Sequence, residues 1–117
     1  MVRVLIVDDQ SSFRRQLRAL LSYAGLEVVG EAQAIPEAEE CVRATHPDLA
    51  IVDLMLPGIN GLEGISRLTR IAPDLRVILI SAYRDHTEMY QTAARQAGAE
   101  DFISKDDLDL EAVCAWK

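Results

Sequence analysis

The chain predicts an α/β protein built on one parallel sheet with helices on both faces. Strand-like and helix-like patterns alternate five times along 117 residues. Two of the strand-like runs, Leu49-Ala50-Ile51-Val52 and Val77-Ile78-Leu79-Ile80, are continuously apolar, as strands covered on both sides must be. Polar residues with chemical potential sit at the trailing ends of the apolar runs: Asp8-Asp9, Asp53, Ser81 and Lys105. Right-handed crossovers would bring those run ends to one edge of the sheet, where open α/β sheets bind ligands.

The elements follow in order. Arg3–Val7 is apolar and β-branched and predicts the first strand. Phe13, Leu17, Leu20, Leu21 and Ala24 recur at helical spacing, and Gly25 stops that helix. Glu27-Val28-Val29-Gly30 predicts a short second strand. Pro36 suits the first turn of a second helix; Ala38, Cys41, Val42 and Thr45 form its inner face, and His46-Pro47-Asp48 ends it. Beyond the third strand, Pro57-Gly58-Ile59-Asn60-Gly61 predicts a loop. Leu62, Ile65, Leu68 and Ile71 mark a third helix closed by Pro73. After the fourth strand, Met89, Ala93, Ala94 and Ala97 give a fourth helix with a small-residue inner face, capped by Gly98. Phe102-Ile103 is the fifth strand, and Leu110, Val113, Cys114 and Lys117 start a fifth helix, with Trp116 as an anchor.

Composition narrows the function classes. The length is that of one domain, 1–117, and half of the residues are hydrophobic, enough for a core. Twelve Lys+Arg against 19 Asp+Glu leave a net charge of −7, which argues against direct nucleic-acid contact. No apolar run approaches the roughly 20 residues of a membrane span. Met1-Val2-Arg3 runs straight into a strand and two acids, unlike a secretory signal, so the expected location is cytoplasmic. Cys41 and Cys114 lack disulfide or zinc spacing and read as small core residues.

The acids carry two readings each. Asp8-Asp9 could cap the helix that follows, but Ser11 and Ser12 could do that too. The alternative is a Mg2+ site, which wants one or two carboxylates plus waters and phosphate oxygens. Asp53 could make a turn, or stand beside Asp8-Asp9 as a third anion needing a cation; that cation could screen an incoming phosphoryl group and let the Asp53 carboxylate attack it, forming an acyl phosphate. Ser81 is a turn residue or a donor to a phosphoryl oxygen. Lys105 is a surface charge or a phosphate partner. The coincidence of all five at matching run ends favours the functional set. His46 falls at the far end of the sheet and His86 at a helix start, and neither is assigned a catalytic role.

Val4-Leu5-Ile6-Val7-Asp8-Asp9, Asp53-Leu54-Met55-Leu56-Pro57-Gly58 with Asn60-Gly61, Ser81-Ala82, and Gly98-Ala99 leading to Lys105 carry a family resemblance over the whole length. The chain resembles the receiver domain of bacterial two-component response regulators, in particular those preceding LuxR-type helix-turn-helix domains. The resemblance implies a flavodoxin-like doubly wound sheet of order 2-1-3-4-5 with five helices. It implies that Asp53 accepts a phosphoryl group from a sensor histidine kinase or phosphotransfer domain. Mg2+ would be held by Asp9, Asp53 and the Met55 backbone carbonyl, with Asp8 acting through water. Lys105 would contact the phosphoryl group, Ser81 would swing toward it, and Phe102 would turn inward behind Ser81 as a switch. A phosphorylation-dependent homodimer is a further implied partner, with transcription as the output where a DNA-binding domain follows.

The chain departs from the commonest pattern at Asp106, where many receivers have Pro; without Pro a trans bond and a different local loop are expected. Asn60 replaces a common acid, and Glu39 a common apolar residue. Met55 and Tyr83 flank the acceptor and offer no group to orient water, so slow loss of the phosphoryl group is expected. Arg14, Arg15 and Arg18 are expected on the outer face of the first helix, as surface charge or a kinase-docking site. A phosphatase with a related aspartate mechanism needs an acid two residues after the nucleophile, where this chain has Met55. A pseudo-receiver interaction module independent of phosphorylation is the remaining alternative, and the complete set of five residues argues against it. Either a stand-alone receiver or a piece of a longer regulator fits the length.

Overall fold

The apolar runs do pair into a sheet, and their alternation decides which helices each face carries. The computed structural model describes Met1–Lys117. Its strands are β1 (Arg3–Val7), β2 (Glu27–Ala32), β3 (Leu49–Asp53), β4 (Arg76–Ser81) and β5 (Asp101–Ser104). The helices are α1 (Ser11–Tyr23), α2 (Ile35–Thr45), α3 (Gly61–Ile71), α4 (Glu88–Ala97) and α5 (Leu110–Cys114), with 3-10 turns at Tyr83–Asp85 and Lys105–Asp107. The five strands form one sheet in the order β2-β1-β3-β4-β5, and every pair is parallel. No helix is long and apolar enough to cross a membrane.

Side chains alternate across a strand, so each inner strand feeds two cores. Val4, Ile6, Leu49, Ile51, Ile78 and Ile80 face α1 and α5, packing with Leu17, Leu21, Val113 and Trp116. Leu5, Val7, Ala50, Val52, Val77 and Leu79 face the other way, onto Ile35, Ala38 and Val42 of α2, Ile65 and Leu68 of α3, and Ala94 of α4. Each such large side chain contributes roughly 1.5–3 kcal/mol of burial. The edge strands β2 and β5 are only partly covered, which is why their sequences are less apolar.

The same register levels the strand ends. Val7 of β1 pairs with Val52, so Asp8 and Asp53 each stand one step beyond a matched pair. Ser81 pairs with Ser104, immediately before Lys105. At the opposite end His46 sits in the left-handed region at the C-cap of α2, and Arg3 donates to the Thr45 and His46 carbonyls. His46 is thereby a helix terminator, remote from the acids. Trp116 is buried in the α1/α5 core and anchors the chain's end, as expected.

Several element assignments need correction. Gly61 opens α3 rather than ending a loop, with Asn60 as the N-cap accepting from the Glu63 amide. A Cβ at Gly61 would collide with the Asp53 carbonyl oxygen, so glycine lets α3 close onto the end of β3. Met89 is not on the inner face of α4: it is 69% exposed, and Tyr90 packs on the core instead. Cys114 is exposed, because α5 turns Val113 and Trp116 inward. Glu39 is accommodated by a two-pronged contact with Arg67 of α3 (3.2 and 2.6 Å).

Candidate metal and phosphoryl cleft

The backbone positions the first acid pair before any side chain acts. The Asp8 amide donates to the Ala32 carbonyl (2.9 Å), extending the β1–β2 ladder one step. The chain then breaks into α1, whose N-cap is Gln10 with no side-chain cap. Neither Asp8 nor Asp9 caps the helix by itself. Asp8 is fully buried, and its Oδ1 accepts from the Gln10 amide (2.8 Å). Its Oδ2 is buried without a well-directed hydrogen bond and is met only by an ion-pair contact, with Lys105 Nζ 2.8 Å away. Asp9 is exposed at the rim.

Arg14 fixes the turn between β1 and α1 from below. Its Nη1 donates to the Asp8 carbonyl (2.6 Å) and its Nε to Glu31 (2.9 Å), while Arg18 donates to the other Glu31 oxygen (2.7 Å). Burial alone would raise the Glu31 carboxyl, but the hydrogen bonds from Arg18 and Arg14 outweigh it and hold it below the usual carboxylate range. Arg14 is therefore not on the outer face of α1: its side chain is 13% exposed against 48% for Arg18. Arg15 alone of the three is exposed without an ion-pair partner.

Asp53 closes the cluster. It is 6% exposed, and its Oδ1 receives only a long hydrogen bond from the Met55 amide (3.4 Å). Burial and the neighbouring Asp8 charge push its pKa up to about 6, against the lowering influence of Lys105 and the Met55 amide. Lys105 Nζ lies 3.5 Å from Asp53 Oδ2, reaches Gln10 Oε1 at 3.2 Å, and sits 4.4 Å from the centre of the Phe13 ring. Ser104 Oγ accepts from the Asp106 amide (3.3 Å), winding the Lys105–Asp107 turn that aims the ammonium inward through a trans Lys105–Asp106 bond.

Carboxylate oxygens of Asp8, Asp9 and Asp53 all lie within 4.8 Å of one another. Asp9 and Asp53 border a cleft of about 230 Å3 shared with Gln10, Met55, Ala82, Arg84, Asp85 and Lys105, while Asp8 is fully buried. Four carboxylates (Asp8, Asp9, Asp53 and Asp85) against the Lys105 ammonium and the Arg84 guanidinium leave an anionic excess that suits a hard cation with oxygen ligands. The under-satisfied Asp8 Oδ2 points the same way.

Ser81 stands apart from this cluster. It is buried, and its Oγ lies 3.2 Å from His86 Nδ1, with no hydrogen bond to Asp53. Strand alternation explains the split. Asp8 and Asp53 share the parity of Ile6 and Ile51, on the α1 side; Ser81 shares that of Leu79, on the α4 side. Phe102 pairs with Leu79 and packs on that same core. The His86 ring lies 4.4 Å from the Phe102 ring, tilted by 32°, and its Nε2 is 3.1 Å from Gln91 Nε2. His86 does not begin α4: Thr87 is the N-cap, and His86 follows the Tyr83–Asp85 turn. The sequence placed His86 at a helix start without a role and offered no signal for Gln10, since neither lies on a periodic face.

Strand order 2-1-3-4-5 with acids at the ends of β1 and β3 defines a flavodoxin-like domain whose ligand edge is acidic. The profile of the response regulator receiver domain matches residues 4–114, and the chain belongs to that family, the phosphorylation-dependent switch of two-component signalling. It is similar to the response regulator GacA of Pseudomonas viridiflava, 36% identical over 106 residues that cover 90% of this chain and 49% of GacA. In three dimensions it matches the signal receiver domain of the response regulator NarL from Mycobacterium tuberculosis, with TM-score 0.87 and 33% identity over 98% of this chain and 91% of that one. A chain of the CheX–CheY–BeF3–Mg2+ complex from Borrelia burgdorferi matches with TM-score 0.87 and 28% identity, over 97% of this chain and 84% of that one. The chain spans about half the length of several curated relatives.

Proposed function

We propose that Asp53 is the phosphoacceptor of this receiver and that Asp8, Asp9, Asp53 and Lys105 are the groups that load it. The observation that carries this reading is the convergence of three carboxylates within 4.8 Å of one another, with Lys105 touching two of them. With a carboxyl pKa near 6, Asp53 is largely ionised above neutrality. An Asp53 oxygen attacks the phosphorus of a phosphohistidine on a sensor kinase or phosphotransfer domain. The P–O bond forms as the P–N bond breaks, and the imidazole leaves with a proton from solvent. Asp9, Asp53 and the Met55 carbonyl would hold Mg2+, with Asp8 acting through a water, and the ion would supply charge neutralisation between carboxylate and phosphoryl oxygens. Lys105 exchanges its carboxylate partners for a phosphoryl oxygen, and Ser81 supplies a hydroxyl to another.

The product adds charge and acceptor oxygens at the sheet edge, and Ser81 and Phe102 convert that into a changed surface. On this reading residues 1–117 are one switch unit that passes its state to an output or to a second copy. Met55 and Tyr83 are both exposed and offer no carboxylate or amide to direct water; on this reading Asp85, the further carboxylate at the cleft, does not direct it either, and the acyl phosphate persists for minutes or longer. Incubation with acetyl phosphate and Mg2+ tests the reading by intact mass. One phosphoryl group should add to the wild type and none to Asp53→Asn. Equal loading of the two proteins refutes it.

A further inference from the structure

We infer that His86 is a latch on the switch: it holds the Ser81 hydroxyl on the α4 side and must release it before Ser81 can meet a phosphoryl group on Asp53. The inference rests on the phosphoacceptor reading above. Three observations carry it. Ser81 is buried with His86 Nδ1 as its hydrogen-bond partner at 3.2 Å. The other ring nitrogen is placed by the Gln91 side-chain amide at 3.1 Å, so the imidazole is held at both ends. The centre of the ring lies 4.4 Å from that of Phe102, the other half of the switch.

The Gln91 amide nitrogen can only donate, so Nε2 accepts from it and the Nδ1–H donates to Ser81 Oγ, whose position the ring thereby sets. Ser81 also lies outside the set of residues that border the acidic cleft. Rotating Ser81 toward the cleft breaks the contact with His86. That frees a ring already packed on Phe102, so one event at Ser81 reaches the aromatic through His86. The imidazole therefore couples the two residues physically, and its hydrogen bond favours the unloaded state. Losing one such bond should shift the balance about three- to tenfold.

Beryllofluoride with Mg2+, a phosphoryl mimic, gives the test, with Asp53→Asn as the control for the site. In wild type, binding depends on Asp53. His86→Ala should tighten it about three- to tenfold. His86→Phe keeps a ring beside Phe102 but removes the hydrogen bond, and should tighten it similarly. In a Ser81→Ala background the same His86 substitutions should change affinity by less than about twofold, as expected once the shared partner is gone. In wild type the ring nitrogen resonances of His86 should move when beryllofluoride is added, and in Ser81→Ala they should stay still. Unchanged affinity in both His86 variants, or an equal shift in both Ser81 backgrounds, overturns the latch while leaving the acceptor site standing. Failure of the wild type to bind in an Asp53-dependent way overturns the site and the latch together.

Discussion

The two faces of the sheet meet the ligand edge with different forces. On the α1 side, charge holds everything: Lys105 bridges Asp8 and Asp53, and Arg14 ties the Asp8 backbone to Glu31. On the α4 side the contacts are neutral: Ser81 to His86, His86 to Gln91, and ring against ring at Phe102. Fixed charges pre-organise chemistry, because they need little rearrangement when a phosphoryl group arrives. Neutral hydrogen bonds are worth about 1 kcal/mol each and exchange readily, which is what a switch requires. The sheet itself makes the division, since alternate residues of its strands face opposite helices.

The contrast can be broken most sharply by comparing Lys105→Ala with Ser81→Ala. Removing the ammonium should slow loading from acetyl phosphate by on the order of 100-fold, as loss of a transition-state charge partner does. Lys105→Arg should not restore the rate, because a planar guanidinium cannot replace a point charge wedged between two carboxylates. Ser81→Ala should cost far less, about tenfold at most. Equal losses, measured by the time course of intact mass, would abolish the distinction between the faces.

Stability gives the next largest effect. Folding raises the Asp53 pKa from 3.8 to about 6, so the folded state takes up a proton that the unfolded chain has lost. Asp53 therefore contributes a penalty that grows as pH rises from about 4 through 6 and levels off above. Asp53→Asn should be more stable than the wild type by roughly 2–3 kcal/mol at pH 7.5 without divalent ions, and equal to it near pH 4. Urea titrations at both pH values decide this. At 100 times its dissociation constant Mg2+ should return about 2.7 kcal/mol to the wild type and little to the Asn variant.

Arg14→Ala should destabilise by about 1.5–3 kcal/mol, since it strips a charged donor from the Asp8 carbonyl, and should weaken Mg2+ binding as the acid turn loosens. Calorimetric titration and thermal unfolding measure the two effects. Arg18→Ala, which touches the same Glu31 from an exposed position, should cost under about 0.5 kcal/mol. Similar costs for the two would show that Arg14 acts only as a surface ion pair.

Much of this site was legible early because its signals are local. Asp53 follows four apolar residues, and parallel strands carry such ends to one edge whatever their order. Lys105 and Ser81 obey the same logic. Other features had no local signal. Met89 and Tyr90 differ by one helical step, and only packing on the α4 core shows which one turns inward. Arg14 reads as surface charge until Glu31, 17 residues later, is placed beside it. His86 belongs to no periodic face and gains meaning only because a 3-10 turn folds it back onto Ser81.

By itself the sequence determined the alternation of strands and helices, the buried inner strands and the identity of the acids, because hydrophobic periodicity and run ends are properties of neighbouring residues. Strand order lay beyond that pattern and came from family resemblance before the structure showed it. Only the tertiary structure decided that Ser81 parts from Asp53, that Arg14 faces inward, and that His86 meets Ser81. Those outcomes depend on the register between strands and on which face each side chain meets, and both are set by long-range packing.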